Sequence, residues 1–404
     1  MTLRPRSHAF TFLIAALTAL PPLSIDMSLP AVAPIGAALN APASQTGLTL
    51  SLFMAGFALA QLGLGPVSDR FGRRLPLVAT LTLFTISGVF CAFAGGIGSL
   101  LFWRFVQGAG AGGATVLAFA IVRDLFAGVE ARARMSTIAA TMSAAPMLAP
   151  SLGALVLRFA DWRAIFAVLA LAGLGVALTV GFGVAESHPA EDPEALAPGK
   201  LMRNYARAFQ NRSALGHSLL GSLGFGCLFS FVSGSPYVFI GVLGLNTGAF
   251  ALLFAICALG LTAGSLICGR LVHKGFNAHH MLATAVLGQA VFAMALLGLA
   301  LSGRFSVATA LPLLMLNNLA MGFVNPLAVH GAMEPFADMA GVASAVRGFL
   351  QMLGGAAASA LVAWLFTGTA TALPLSMTIF ALASALVWLT LVRPATRAVA
   401  APSA

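Results

Sequence analysis

The sequence is short of charge. Of its 404 residues only 8% are Asp, Glu, Lys or Arg, while 59% are hydrophobic; a soluble domain carries about 25% charged residues. So little charge cannot clothe a surface in water, and lipid must be the solvent. Acid is scarcest: 11 Asp and Glu face 21 Lys and Arg, a net charge of +10. Cysteine is nearly absent, with four residues, at 91, 227, 257 and 268, and no CxxC pair. That excludes a disulfide framework and a thiolate metal centre and leaves four small buried hydrophobes. The seven histidines are scattered, with no HExxH, and His279 and His280 fall in a short basic loop. No metal and no other cofactor is expected. Also missing are the alternating segments of about 10 residues that build a membrane barrel.

What is present is a series of apolar runs of about 20 residues, the length one spanning helix needs. A helix satisfies its own backbone in lipid, so an all-α membrane protein follows. Spans are expected at 9–30, 44–66, 75–95, 98–121, 134–157, 163–184, 213–239, 247–269, 279–301, 305–329, 340–366 and 371–392, twelve transmembrane helices in all. Arg4 and Arg6 before the first run imitate a signal peptide. The run reaches Pro30, however, and is long enough to cross, so a retained first span is expected.

The cations do not form one patch, which argues against nucleic-acid binding; they alternate between loops. With the N-terminus placed in the cytoplasm, 16 of the 21 lie on the cytoplasmic side, among them Arg4, Arg6, Arg123, Arg132, Arg134, Arg212, Arg270, Lys274, Arg393 and Arg397. Arg158, Arg163 and Arg304 lie opposite, Arg104 is inside span 4, and Arg347 is near the cytoplasmic end of span 11. The positive-inside rule then puts both termini in the cytoplasm, and an even number of spans agrees. The lipid bilayer, here a bacterial inner membrane, is the expected environment.

One long loop divides the chain into an N-terminal six-helix bundle, 1–185, a linker, 186–212, and a C-terminal six-helix bundle, 213–404. The linker opens acidic (Glu186, Glu191, Asp192, Glu194) and turns basic. Within it Leu201, Met202, Tyr205 and Phe209 fall on one helical face and Lys200, Arg203 and Arg207 on another. That pattern suits either a helix lying on an anionic leaflet or a plain linker. The halves are faintly alike. An offset of 204 carries Asp69-Arg70 onto His273-Lys274 and Gly65 onto Gly269, again after the second span of a half. Internal repeats of this kind are common in transporters, with the site at the midplane between them.

Four motifs carry chemistry. Between spans 2 and 3 stands Gly65-Pro66-Val67-Ser68-Asp69-Arg70-Phe71-Gly72-Arg73-Arg74, a tight basic loop in which glycine permits a sharp turn. In span 4, Arg104 is followed by Gln107-Gly108. An arginine inside a span is costly and calls for a partner. Asp26 is the one acid within an apolar span, at a similar depth, and is the expected partner. Span 5 carries Pro146-Met147-Leu148-Ala149-Pro150-Ser151-Leu152-Gly153, a doubly kinked helix with a small residue for close packing. Span 1 reads Ser24-Ile25-Asp26-Met27-Ser28-Leu29-Pro30.

The loop resembles the major facilitator signature, Gly-x-x-x-Asp-Arg-x-Gly-Arg-Arg, at every defined position, and the span-4 arginine with Gln-Gly is similar to another motif of that superfamily. Both imply two pseudo-symmetric six-helix bundles, with Gly65, Asp69, Arg70, Gly72, Arg73 and Arg74 forming a conformational gate in which Asp69 meets the start of span 11. Span 5 resembles the antiporter motif Gly-Pro-x-x-Gly-Gly, with Pro150 and Gly153 kept and two glycines replaced by alanine. Asp-Met-x-Leu-Pro in span 1, Arg123-Asp124 after span 4 and Met339 to Ala345 leading into Gly348-Phe349-Leu350-Gln351 resemble the bicyclomycin and chloramphenicol exporter family. One departure is Ser28, where that family has a bulky tyrosine. This resemblance implies a drug/proton antiporter, with Asp26 as the proton-coupling, substrate-contacting acid and Arg104 acting on it.

Candidates for lining a promiscuous apolar pocket, which Met and Phe suit because they repack, are Met27, Leu50, Met54, Gln107, Met142 and Pro146 in the first half. Phe225, Phe229, Tyr237, Asn317 and Asn318 are candidates in the second. The expected function is proton-coupled efflux of small, largely apolar compounds by alternating access, driven by the proton gradient, in a monomer whose partners are substrate, protons and lipid. The same fold serving a specific metabolite is the nearest alternative. An enzyme would need converging catalytic groups, and a channel would need polar rings along a pore; the sequence has neither.

Overall fold

The computed structural model describes residues 3–187, 193–336 and 339–394. Glu191, Asp192 and Arg397 lie outside the described residues. No strand occurs among the described residues. Twelve helices are long and apolar enough to cross a membrane. In the first half they are span 1 His8–Ala38, span 2 Ala43–Phe71, span 3 Arg74–Ala92, span 4 Ile97–Leu125, span 5 Gly128–Phe159 and span 6 Trp162–Gly183. In the second half they are span 7 Arg212–Val242, span 8 Thr247–His273, span 9 Ala278–Leu301, span 10 Val307–Met333, span 11 Ala340–Leu365 and span 12 Ala372–Val392. The chain forms two compact units, Met1–Met202 and Arg203–Ala404. The boundary falls inside a short helix, Pro198–Gln210, that leaves Met202 and Phe209 exposed and buries Ala208.

Six of the twelve spans begin where a polar side chain accepts the first free backbone N–H groups. Ser7 caps span 1, Asp161 span 6, Asn211 span 7, Asn246 span 8 and Asn277 span 9, while Ser306 and Thr309 form a reciprocal capping box on span 10. In each half the turn after the second span uses a glycine in the left-handed region, Gly72 at φ 79° and Gly275 at φ 81°. A side chain there would be strained.

Close packing repeats as well. Between spans 2 and 4, a Cβ on Gly108 would collide with the Phe53 carbonyl, and one on Gly56 with the Phe105 carbonyl. Between spans 8 and 10, a Cβ on Gly264 would collide with the Leu319 carbonyl, and one on Gly322 with the Leu261 carbonyl. Small residues let backbones touch where lipid supplies no hydrophobic drive.

Three boundaries depart from expectation. Span 2 does not stop at 66: its helix runs to Phe71, so residues 65–71 form its last turns rather than a loop, and only Gly72 and Arg73 separate it from span 3. Span 1 does not stop at Pro30: its α-helix ends at Asp26, a tight turn covers Leu29–Ala31, and helix resumes over Val32–Ala38. Pro30 has no N–H to continue the ladder, and the Ser28 hydroxyl donates to the Ile25 carbonyl at 2.8 Å, closing the break. Span 5 begins at Gly128 rather than 134, because Arg132 and Arg134 join its first turns.

Candidate functional site

The break in span 1 and the arginine of span 4 lie side by side in the first half. Arg104 is fully buried. Its Nη1 donates to Gln107 Oε1 at 2.7 Å, one turn along the same helix, and its Nη2 to the Ser24 carbonyl of span 1 at 3.2 Å. The guanidinium carbon sits 4.4 Å from the Phe53 ring centre and 5.5 Å from that of Phe166. A cation is drawn to ring faces, most strongly when water is excluded, so spans 2 and 6 help hold this charge. Arg104 Nε, Gln107 Nε2 and Ser24 Oγ are buried with no hydrogen-bond partner. Three unpaired polar atoms in one cluster are uncommon in a folded interior.

Asp26 lies two residues beyond Ser24 and is only 4% exposed. The expected pairing with Arg104 is not made: among the described residues no ion pair or hydrogen bond joins them. Arg104 instead holds the Ser24 carbonyl, and Asp26 ends the α-helical part of span 1, just before the break. Span 5 closes on the same break. A Cβ on Gly153 would collide with the Met27 carbonyl and lie 3.1 Å from Met27 Cα. Pro150 is buried nearby in sequence and Pro146 half-buried. The span-1, span-4 and span-5 motifs thus meet around one interruption of span 1.

The motif at the end of span 2 centres on Arg73, which is 3% exposed. Its Nε donates to Asp124 Oδ2 at 2.8 Å, and its Nη1 to Asp69 Oδ1 and Ser68 Oγ, each at 2.5 Å. Burial works against its charge, but the hydrogen bonds to Asp124 and Asp69 outweigh it and hold the guanidinium above its ordinary value. Glu186 accepts from the backbone N–H groups of Arg73 at 2.8 Å and Arg74 at 3.0 Å, an acid at the start of span 3 where helix charge favours one. Arg74 Nη2 donates to the Gly181 carbonyl at 2.5 Å, and the Arg70 guanidinium lies 5.9 Å from the Phe71 ring centre. Gly65 faces open space.

Several residues expected to line a pocket hold helices together instead. Asn317 Nδ2 donates to the Gln289 carbonyl and Asn318 Nδ2 to the Cys257 carbonyl, both at 3.1 Å, and the Cys227 thiol donates to Asn317 Oδ1 at 3.5 Å. Both asparagines are at most 1% exposed, tying span 10 to spans 7, 8 and 9. Met54 and Gln107 are also fully enclosed; Met27, Leu50, Phe229 and Tyr237 are buried. Phe225 is half-buried with its ring 4.4 Å from that of Phe229, Tyr237 lies 5.0 Å from Phe366, and Met142 is exposed. Sequence reasoning missed Phe53, Phe166 and Ser24, whose aromatic and small-polar identities are ordinary for a span. It saw Glu186 only as an acidic start to the linker. No group of His, Cys, Asp and Glu that could hold a metal occurs among the described residues.

These features match a known class. The profile described as Major Facilitator Superfamily covers residues 14–359, and the chain belongs to that superfamily of membrane transporters, which are not enzymes. It is 34% identical to the uncharacterized MFS-type transporter YdgK of Bacillus subtilis (strain 168), over 92% of each chain. It is 31% identical to the bicyclomycin resistance protein homolog of Haemophilus influenzae, over 93% of this chain and 94% of the relative. Multidrug resistance protein MdtL of Escherichia coli (strain K12 / DH10B) is 31% identical over 87% and 86%. The resemblance to bicyclomycin-resistance transporters is therefore borne out. Among solved structures, a D-xylose-proton symporter superposes with a TM-score of 0.74 at 19% identity, covering 96% of this chain and 98% of that one. A bacterial homologue of the human lysosomal transporter Spinster gives 0.73 at 14% identity, covering 97% and 98%. Those two likenesses bear on the fold alone.

Proposed function

We propose that this transporter exports small, largely apolar compounds from the cytoplasm in exchange for protons, with Asp26 as the group that carries the proton. One observation carries the reading. Asp26 is a buried carboxyl at a helix break in the interior of a span, with no ion pair among the described residues. An acid held inside a membrane is a functional group by default. The names of the two relatives at 31% identity, a bicyclomycin resistance homologue and a multidrug resistance protein, support drugs as the substrate class.

Arg104 acts on Asp26 through span 1 rather than by contact. It holds the Ser24 carbonyl, and so sets the orientation of the break that carries the carboxyl. Facing out, Asp26 takes a proton and substrate leaves; facing in, it gives the proton up and substrate binds. Alternate exposure comes from rocking of the two halves. The motif from Gly65 to Arg74, the end of span 2 and its turn, gates that motion, with Asp69 as the contact to the start of span 11 and Arg73 bracing it against Asp124. One proton crossing 100 mV supplies about 2.3 kcal/mol, and one pH unit about 1.36 kcal/mol, which is enough to concentrate a solute. The charge distribution supports an inner-membrane protein with both termini in the cytoplasm, and a monomer is the state proposed.

The test is reconstitution in liposomes with an imposed pH gradient, following lumenal pH as chloramphenicol-type and lipophilic cationic compounds are added. Compound-triggered proton movement supports antiport. Silence toward every compound, in vesicles where the protein is correctly inserted, overturns drug export and turns the search to a specific metabolite.

A further inference from the structure

The second half holds a charge that the proposed function does not use. Arg347 lies about 10 Å inside span 11 by helix rise. Among the described residues no carboxylate comes within ion-pair distance of it. Of its five N–H donors, one meets a protein acceptor, Gln351 Oε1 at 2.8 Å. A cation this far inside a span is costly unless something of opposite charge accompanies it.

The surroundings are built for a small guest. Spans 7, 10 and 11 line a partly open cavity of about 10 Å³, bounded by His217, Ser218, Ser222, Asn325, the half-buried Arg347 and Gln351 among others. That is the space of about one water-sized occupant. Its polarity is one-sided. Gln351 spends its carbonyl on Arg347 and its Nε2 on Asn325 Oδ1 at 3.4 Å. Asn325 Nδ2 and the Ser218 hydroxyl therefore remain as donors beside the guanidinium. The Ser222 hydroxyl donates to the Leu350 carbonyl at 2.5 Å and ties span 7 to span 11 at the edge of the cavity. His217 is 8% exposed and anchored by Nδ1 to the Ser213 carbonyl at 2.9 Å. Its ring lies flush on Gly331, where any Cβ would collide with it. The His217 side of the wall is thus fixed, with Glu334 close enough to act on its charge, and the uncommitted donors of the lining belong to Arg347, Asn325 and Ser218.

We propose that this cavity is a binding site for a small monovalent anion of the halide class, held by Arg347 with Asn325 and Ser218. The site lies wholly within the second half and goes beyond the export reading, since it holds whether or not Asp26 carries protons.

The experiment uses the full chain purified in detergent. Thermal unfolding is followed while sodium chloride replaces sodium gluconate at constant ionic strength. Gluconate is too large for the cavity and serves as the reference anion. The unfolding midpoint is expected to rise with chloride and to saturate. Arg347→Gln is expected to abolish the rise, and Arg347→Lys, which keeps the charge, to retain part of it. If Arg347→Gln cannot be purified, Asn325→Leu, which fills the cavity and leaves the guanidinium in place, must abolish the rise instead. A midpoint indifferent to the exchange of anions, or a chloride effect that persists in Arg347→Gln or Asn325→Leu, overturns the site.

Discussion

The two halves solve the same packing problem with different chemistry at their centres. In the first, span 4 presents Arg104 and Gln107 to span 1, and three polar atoms there are left unpaired beside a buried Asp26. In the second, span 10 presents Asn317 and Asn318, whose amide N–H groups meet backbone carbonyls of spans 9 and 8, while Asn318 Oδ1 and Gln289 Oε1 are left unpaired. A neutral amide that meets a carbonyl holds two helices together and has little else to do. A buried ion pays for its place only through what it does. The contrast is between a centre built on ionisable side chains, Asp26 and Arg104, and one built on neutral amides.

The largest structural effect should come from Arg104→Leu. The substitution leaves Gln107 and the Ser24 carbonyl without their donor and opens space between the Phe53 and Phe166 rings. A loss of about 2 kcal/mol is expected from leaving buried acceptors without their donor, read as a fall in the unfolding midpoint of purified protein, together with loss of transport. Unchanged stability would mean that the charge is not held by these contacts. Next is Gly153→Val. Its side chain must displace the Met27 carbonyl, so the Asp26 break moves; transport should fall far more than yield on purification. Equal losses of both would make Gly153 a packing residue like Gly264. The smallest effect belongs to Asn317→Ala, which removes one interhelical N–H donor and the Cys227 acceptor. Interhelical polar contacts in membranes average about 0.6 kcal/mol, so a small drop in midpoint with transport preserved is expected. Loss of transport there would place function in the second half too and erase the contrast.

Much of this was legible before the structure. Apolar runs gave twelve spans because lipid leaves the backbone no other solution, and the motif from Gly65 to Arg74 announced its superfamily outright, although its first seven residues are helix rather than loop. Asp26 and Arg104 stood out because ionisable residues are rare in spans. What lies between them did not. Matching depth suggested an ion pair, but depth carries no rotation, and the rotation of span 1 sends the Ser24 carbonyl, not Asp26, to Arg104. The persistence of span 1 to Ala38 was hidden because Pro30 reads as an end, whereas the chain steps over it with one tight turn. Asn317 and Asn318 looked like pocket residues because a polar pair in a span has two uses, and only the neighbouring carbonyls decide between them. Glu186 could not be assigned to the start of span 3 from sequence, since more than a hundred residues separate them.

The central claim is that Asp26 carries the proton, and Asp26→Asn tests it most directly. The variant keeps the size of the side chain and removes its titration. In liposomes, with a substrate found for the wild type, two rates are compared: uptake driven by a pH gradient, and exchange of labelled for unlabelled substrate at equal pH. The account predicts that Asp26→Asn abolishes the driven flux and retains exchange. Driven flux equal to that of the wild type would contradict it and move coupling to another residue.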